Sequence, residues 1–348
     1  MKILILKPSS LGDVVQALPV LRLIKKHLPG SEIYWWIESR LAPLLAGDRD
    51  LAGLVLFDRR RWASPRNWGE VFRSVGWMRV QRFDWVIDLQ CPFRSGAFAW
   101  FANGALTVGL DEPREGARAF YDLAARRPSF HTHAVDWYLG TLPLLGVPVH
   151  RDFTWLPERP EVAAAVRSKA SATGARWMII QPGARWVNKP WPIGHFTSLV
   201  ERLAASNPEF HFAALGGPED RPLGEIIARV DPRRCLDLTG KLSLPEMVEW
   251  IRLGELMVTN DTGPMHVAAA LGKPVVALFG PTEPRRTGPY GQLHHALQLN
   301  LSCVPCMKSR CAYSKPLECL RALTPGAVFD VVQAQIRNPN TEEKVSVP

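Results

Sequence analysis

No apolar run in the 348 residues reaches the ~18 needed to cross a bilayer. The opening MKILILKPSSLGD has one early Lys and a short apolar stretch, too brief for the core of a signal peptide. A cytoplasmic protein is expected. Two nucleotide-binding signatures are also missing. Neither G-x-G-x-x-G nor G-x-x-x-x-G-K-[ST] occurs, which disfavours a nicotinamide dehydrogenase and a P-loop NTPase. There is no tandem repeat and no low-complexity segment. Acidic residues are in short supply, 33 Asp and Glu against 42 Lys and Arg, for a net charge of +9. The shortage is local as well as global: residues 58–82 hold seven Arg against Asp58 and Glu70. Such a stretch is either a solvated face or a surface that meets anionic groups such as phosphates, nucleic acid or acidic lipid headgroups.

What is present has the composition of an ordinary globular protein, 47% apolar and 22% charged. The length favours two domains. Both halves alternate apolar strands with helix-length segments. KILIL, EIYWWIE, GLVLFD, DWVIDLQ and ALTVGLD come first, then RWMIIQPGA, FHFAALGG, CLDLTG, ELMVTND and PVVALFG. Near-continuous apolar strands separated by helices indicate parallel sheets covered on both faces. The expected fold is α/β, two doubly wound Rossmann-like domains facing across a cleft. The Pro-containing polar stretch at 149–161 marks the boundary, giving domains 1–158 and 159–348.

In such sheets ligands bind beyond the carboxyl ends of the strands, and polar knots stand there. In KPSSLGD, Ser10 and Gly12 suit a tight turn, and Asp13 is either a helix cap or a carboxylate available as a general base. In QPGARWVNKPWP, Lys189 is either a solvated lysine or a point charge for a phosphate. In LGGPED, Glu219 and Asp220 are either turn residues or acceptors for ribose hydroxyls. DLTGKLSL forms another turn into a helix. In NDTGPMHVAAALG, Asp261 and Thr262 open a small-residue helix whose first-turn N–H groups can hold a diphosphate, with His266 one turn in.

Cys91 and Cys235 are isolated and expected buried. Cys303, Cys306, Cys311 and Cys319 are clustered in CVPCMKSRCAYSKPLEC. A C-x2-C knuckle with two more thiols can bind zinc. The second pair lacks knuckle spacing and no His lies in the segment, so a redox pair or four plain thiols is the expectation. Asp48-Arg49-Asp50, the sole D-x-D, lies away from these knots and reads as a solvated loop rather than a metal site.

The motifs ILKPSSLGDVVQALP, DWVIDLQ with Arg94-Ser95, QPGA…NKPWP, GGPED, LTGKLSL and NDTGPMHVAAALGKPVVALFGPTEPRRTGPYG occur in one order over residues 1–335. Together they resemble the ADP-heptose:lipopolysaccharide heptosyltransferases, glycosyltransferase family 9, of GT-B architecture. The resemblance implies an inverting, metal-independent transfer from ADP-heptose to the lipopolysaccharide inner core. It implies acceptor binding by the N-terminal domain, at Ser10, Gly12, Arg59, Arg60, Arg61 and Arg94, and donor binding by the C-terminal domain. Asp13 matches the family's base and Lys189 its phosphate-binding lysine. Asp261, Thr262, Gly263 and His266 match its donor-sugar and diphosphate contacts. Glu219 or Asp220 matches its ribose acid, and Gly240, Lys241 and Leu242 its adenine pocket. The hydroxyl residues that some members place four and five positions before the lysine are Arg185 and Ala184 here. No cofactor and no nucleic acid partner are implied. A monomer at the cytosolic face of the inner membrane is expected, with the last helix free to return to the N-terminal domain. The alternatives are a GT-B enzyme with another nucleotide-sugar or acceptor, and a nucleotide-sugar-binding protein without transfer activity.

Overall fold

The computed structural model describes residues 1–112, 114–171 and 176–337. The chain divides into two compact units, the first Met1–Pro157 and the second beginning at Glu158. In the first unit the strands are β1 (Lys2–Leu6), β2 (Glu32–Glu38), β3 (Gly53–Phe57), β4 (Trp85–Asp88), β5 (Leu106–Asp111) and β6 (Leu123–Arg126). They form one parallel sheet in the order β3-β2-β1-β4-β5-β6. In the second unit β7 (Arg176–Gln181), β8 (Phe210–Ala214), β9 (Cys235–Asp237), β10 (Leu256–Asn260), β11 (Val275–Phe279) and β12 (Ala296–Gln298) form another, in the order β12-β11-β10-β7-β8-β9. Both orders are doubly wound, as the alternating pattern predicts.

Central position explains the strand sequences. Ile3, Leu4, Ile5 and Leu6 are fully buried because β1 has a strand on each side and helices on each face. Each contributes about 1.5–3 kcal/mol by leaving water. The Leu11–His27 helix is buried along most of its length, with Asp13 in its first turn and Lys25, Lys26 and His27 in its last, charges that suit the helix dipole. Gly109 is required in β5 by a neighbour: a Cβ there would lie 2.2 Å from the Tyr121 ring. The bare backbone lets that ring lie across the strand.

One expectation is corrected. Asp48-Arg49-Asp50 is not a solvated loop. The Asp48 side chain is 6% exposed and meets Arg22 of the Leu11–His27 helix at 2.5 Å, and Asp50 meets the same guanidinium at 2.7 Å. A buried guanidinium needs carboxylate partners, and this turn supplies them. The Pro325–Arg337 helix packs on the Ile193–Ser206 helix and on β11 of its own unit. Residues 338–348 lie outside the described residues. Among the described residues, no helix is long and apolar enough to cross a membrane.

Candidate active site

In each sheet the winding direction reverses between two neighbouring strands, β1 and β4 in the first unit, β7 and β10 in the second. The loops leaving such a pair diverge and leave room for a ligand. Register brings the paired strand ends level: Leu6 lies opposite Asp88, and Gln181 opposite Thr259.

In the first unit, Asp13 is the third residue of its helix. Its Oδ2 accepts from the Ser10 N–H at 2.9 Å and the Ser10 hydroxyl at 2.7 Å. The capping role is therefore real, and it aims the carboxylate at the β1 loop. Behind it stands a buried polar cluster that the sequence reading passed over. Lys7, just past β1, donates from Nζ to the Leu89 carbonyl at 2.7 Å and to Tyr138 Oη at 2.9 Å. Burial opposes its charge, but the Tyr138 oxygen and the Asp13 carboxylate outweigh burial and hold its pKa above the ordinary lysine value. Burial pushes the Tyr138 phenol up to about 12. Asp88, at the end of β4, is 0% exposed and accepts from the Tyr121 hydroxyl at 2.7 Å and the Gln90 N–H at 2.8 Å. Burial raises its pKa despite those donors. The signal was a charged residue ending each of two apolar strands, KILILK and WVID.

The basic residues of this unit are not one uniform patch. Asp58 accepts from the Arg60 and Arg61 N–H groups at 2.8 and 3.0 Å, which starts the short Arg59–Trp62 helix. Arg61 is ion-paired with Glu70. Arg59, Arg60 and Arg94 are exposed. An open hollow of about 380 Å³ is lined by residues that include Phe57, Asp58, Arg61, Trp62 and Arg73. Gly12 is buried in the first turn of the Leu11–His27 helix.

In the second unit the β7 and β10 loops meet through charge. Lys189 Nζ lies 2.6 Å from Asp261 Oδ2, with side chains 16% and 6% exposed. The Thr282 hydroxyl, from the loop after β11, donates to the same oxygen at 2.5 Å. Asn260 fixes the two loops. Its Nδ2 donates to the Pro182 carbonyl at 2.7 Å, and its Oδ1 accepts from the Trp191 N–H at 2.9 Å. Thr262 caps the Gly263–Ala270 helix, and His266 is its fourth residue, half-buried. This first turn offers fewer donors than expected: Pro264 has no N–H, and that of Met265 goes to Thr262 O at 3.2 Å. Lys189 is thus the main positive charge of this half-site.

The loops after β8 and β9 continue the rim. Asp220 Oδ2 accepts from the Gly217 N–H at 2.9 Å, and burial raises its pKa. A Cβ on Gly183, in the β7 loop, would fall 2.1 Å from Asp220 Oδ1, so the glycine of QPGA makes room for this carboxylate. Glu219 is exposed. The Gly240 N–H donates to the Gly216 carbonyl at 2.9 Å, which docks the β9 loop on the β8 loop. Lys241 is held by Asp237, at 2.7 Å from Oδ2, and Leu242 is half-buried beside it. Lys189, Asp220, Gly240 and Asp261 therefore follow four adjacent strands, β10-β7-β8-β9, at one sheet end.

The family model for Glycosyltransferase family 9 (heptosyltransferase) matches residues 71–316. The chain belongs to glycosyltransferase family 9. Lipopolysaccharide heptosyltransferase 1 of Pseudomonas aeruginosa is 28% identical, over 98% of this chain and 99% of that protein. The structure of Escherichia coli ADP-heptose lps heptosyltransferase II superposes with a TM-score of 0.77 at 23% identity, over 98% of this chain and 100% of the other. Escherichia coli heptosyltransferase WaaC with ADP-2-deoxy-2-fluoro heptose gives 0.75 at 23% identity, over 96% and 100%. The family-9 chain is a glycosyltransferase, and its two Rossmann-like units are those of the GT-B fold.

The clustered cysteines lie in the second unit. Cys303 and Cys306 are half-buried, Cys311 is exposed and Cys319 is buried. Burial, then the thiols of Cys303, Cys311 and Cys306, push Cys319 up to about 11. The N–H groups of Leu317 and Tyr313 lower Cys311. Among the described residues, no group of three or more His, Cys, Asp or Glu is arranged to hold a metal ion. Elemental analysis of purified protein is expected to find well under the one equivalent of zinc that a closed four-thiolate site would take. A stoichiometric metal signal that disappears in the Cys303→Ser/Cys306→Ser variant would overturn this.

Proposed function

We propose that this enzyme moves heptose from ADP-heptose onto an anionic lipopolysaccharide inner core, with inversion and without a metal, at the cytosolic face of the inner membrane. The observation that carries the reading is the Lys189–Asp261 pair at 2.6 Å where the β7 and β10 loops diverge, in a chain matched end to end by a lipopolysaccharide heptosyltransferase. An ammonium has three donors. Lys189 can keep Asp261 and still offer two N–H bonds to a diphosphate.

In this reading the anomeric carbon–oxygen bond of the donor breaks and ADP leaves with its charge. The bond from the acceptor hydroxyl forms on the opposite face, and Asp13 takes the hydroxyl proton. The transition state has oxocarbenium character, so it needs a base on one side and a cation on the other. Asp220 or Glu219 serves the ribose, Gly240, Lys241 and Leu242 the adenine. Asp261, Thr262, Gly263 and His266 serve the diphosphate and sugar.

Two measurements test it. Mass spectrometry with ADP-heptose and defined core acceptors should show one heptose added. Thermal shifts should be larger with ADP than with UDP or GDP. A larger shift with UDP or GDP would assign another nucleotide-sugar, and ADP binding without product would leave a binding protein.

In this reading Ser10, Gly12, Arg94 and the exposed Arg59 and Arg60 serve the acceptor. Arg61 is occupied by Glu70, so the test omits it. Arg59→Ala/Arg60→Ala is expected to raise acceptor KM several-fold and leave ADP-heptose KM unchanged. Exposed charges are screened beyond ~8 Å at physiological ionic strength, so added salt should weaken acceptor use more in wild type than in the variant. Equal KM values and equal salt slopes would mark the stretch as a solvated face.

A further inference from the structure

The Trp68–Gln81 helix exposes large apolar side chains beside its arginines. Met78 is buried, with Val71, Ser74 and Val75 half-buried on the same side. That spacing of three and four makes one face. A surface helix usually gives its opposite face to charged and polar groups. Here Val80, 78% exposed, lies on that opposite face, and Phe72, 70% exposed, lies on its flank. The Phe93–Ala102 helix packs against the Trp68–Gln81 helix and adds Trp100, 58% exposed, whose ring lies 5.2 Å from that of Phe101. The two helices share one surface, since Arg79 Nη1 donates to the Phe101 carbonyl at 3.5 Å. Arg73 and Arg79 on the Trp68–Gln81 helix, and Arg66 and Arg82 just beyond its two ends, are exposed as well. Between residues 59 and 83 the one acid is Glu70, which is paired with Arg61.

We infer that this face is a docking surface for an anionic lipid bilayer. Exposed Phe, Val and Trp side chains among arginines match the boundary of a membrane: apolar tips reach the acyl chains while the arginines stay at phosphate level. Charge complementarity selects the occupant. A second copy of the chain would set these arginines against their own equivalents. A nucleic acid strand would use the charges and could stack on the aromatics, but it leaves Val80 without a role. The inference deepens the membrane-face part of the proposed function and rests on it for its purpose. Its test uses lipid alone, so the two can fail separately.

The full chain is mixed with vesicles of phosphatidylcholine containing a minor share of phosphatidylglycerol, and with pure phosphatidylcholine vesicles, and binding is read by flotation. No heptose donor or core acceptor is present. Wild type is expected to float with the anionic vesicles. Phe72→Ser/Val80→Ser/Trp100→Ser should lose about tenfold or more in partitioning, because each serine removes apolar area from the bilayer. Arg79→Gln/Arg82→Gln should lose a comparable factor and most of the salt dependence, because basic side chains near an anionic surface add to binding. Circular dichroism should match wild type, since all five side chains are exposed. Transfer to a delipidated, water-soluble acceptor should also be unchanged, whereas transfer to the same acceptor embedded in anionic vesicles should fall. Failure of wild type to float, or serine variants that float like wild type, would overturn the inference. So would a wild-type dimer that the serine variant dissociates, or tight RNA binding that the serine substitutions abolish.

Discussion

Asp13→Asn lowers turnover by roughly 10²–10⁴-fold, the usual loss when a general base is removed, while the protein stays folded and binds ADP as before. The geometry separates these effects. Asp13 works through one oxygen as a helix cap, accepting from the Ser10 N–H and hydroxyl, and an Asn carbonyl can accept both bonds. What is lost is a negative charge at a helix N-terminus, worth about 0.3–1 kcal/mol, a shift of a few °C in Tm at most. ADP affinity should hold because every nucleotide-binding candidate belongs to the other unit. Asp13→Ala removes the cap as well. It should be less stable than D13N by about 1 kcal/mol yet no slower, since neither variant can take the proton. Turnover near the wild-type rate in D13N would reduce Asp13 to a cap. Activity that followed Tm across the two variants would do the same.

The same residue shows what a sequence can and cannot convey. Position after an apolar strand marked Asp13, Lys189, Asp261 and the Glu219-Asp220 pair, because strand ends are where doubly wound sheets carry chemistry. Most strands were legible for a related reason: buried parallel strands are continuous apolar runs. Two were not. β6 reads LAAR and β12 reads ALQ. Both are sheet edges with a single neighbour, so little burial is demanded of them and their composition is unremarkable. Contacts across sequence were also illegible. Nothing in KILILK says that Lys7 will lie against Tyr138, 131 positions away. Nothing in LTVGLD says that Gly109 makes room for the ring of Tyr121. Asp48 and Asp50 look solvated until Arg22 is seen to need them. Nothing in FGPT says that Thr282 will donate to Asp261. Polar partnerships formed by packing are set by the third dimension, and a pattern read along the chain carries no trace of them.

The Lys189–Asp261 pair gives the prediction with the largest combined effect, because two consequences of one substitution can be pulled apart. Lys189→Met leaves a carboxylate that is 6% exposed with the Thr282 hydroxyl but without its cation. Breaking a buried pair from one side costs about 3 kcal/mol or more, and chemical denaturation should show it. Removal of the charge proposed to face the leaving diphosphate should also lower kcat by about 10²–10³-fold, the scale seen when a preorganised electrostatic contact to developing charge is deleted. Adding Asp261→Asn neutralises the stranded carboxylate, and the amide can still accept from Thr282. The double variant should recover most of the lost stability. It should recover none of the activity, since the cation for ADP is still missing and the donor contact assigned to Asp261 has also changed. ADP affinity, read by calorimetry, should stay weak in both. A double variant that regained turnover with stability would assign the pair to the fold alone. Unaltered stability in Lys189→Met would mean that Asp261 is satisfied without the lysine, and that the 2.6 Å contact contributes little.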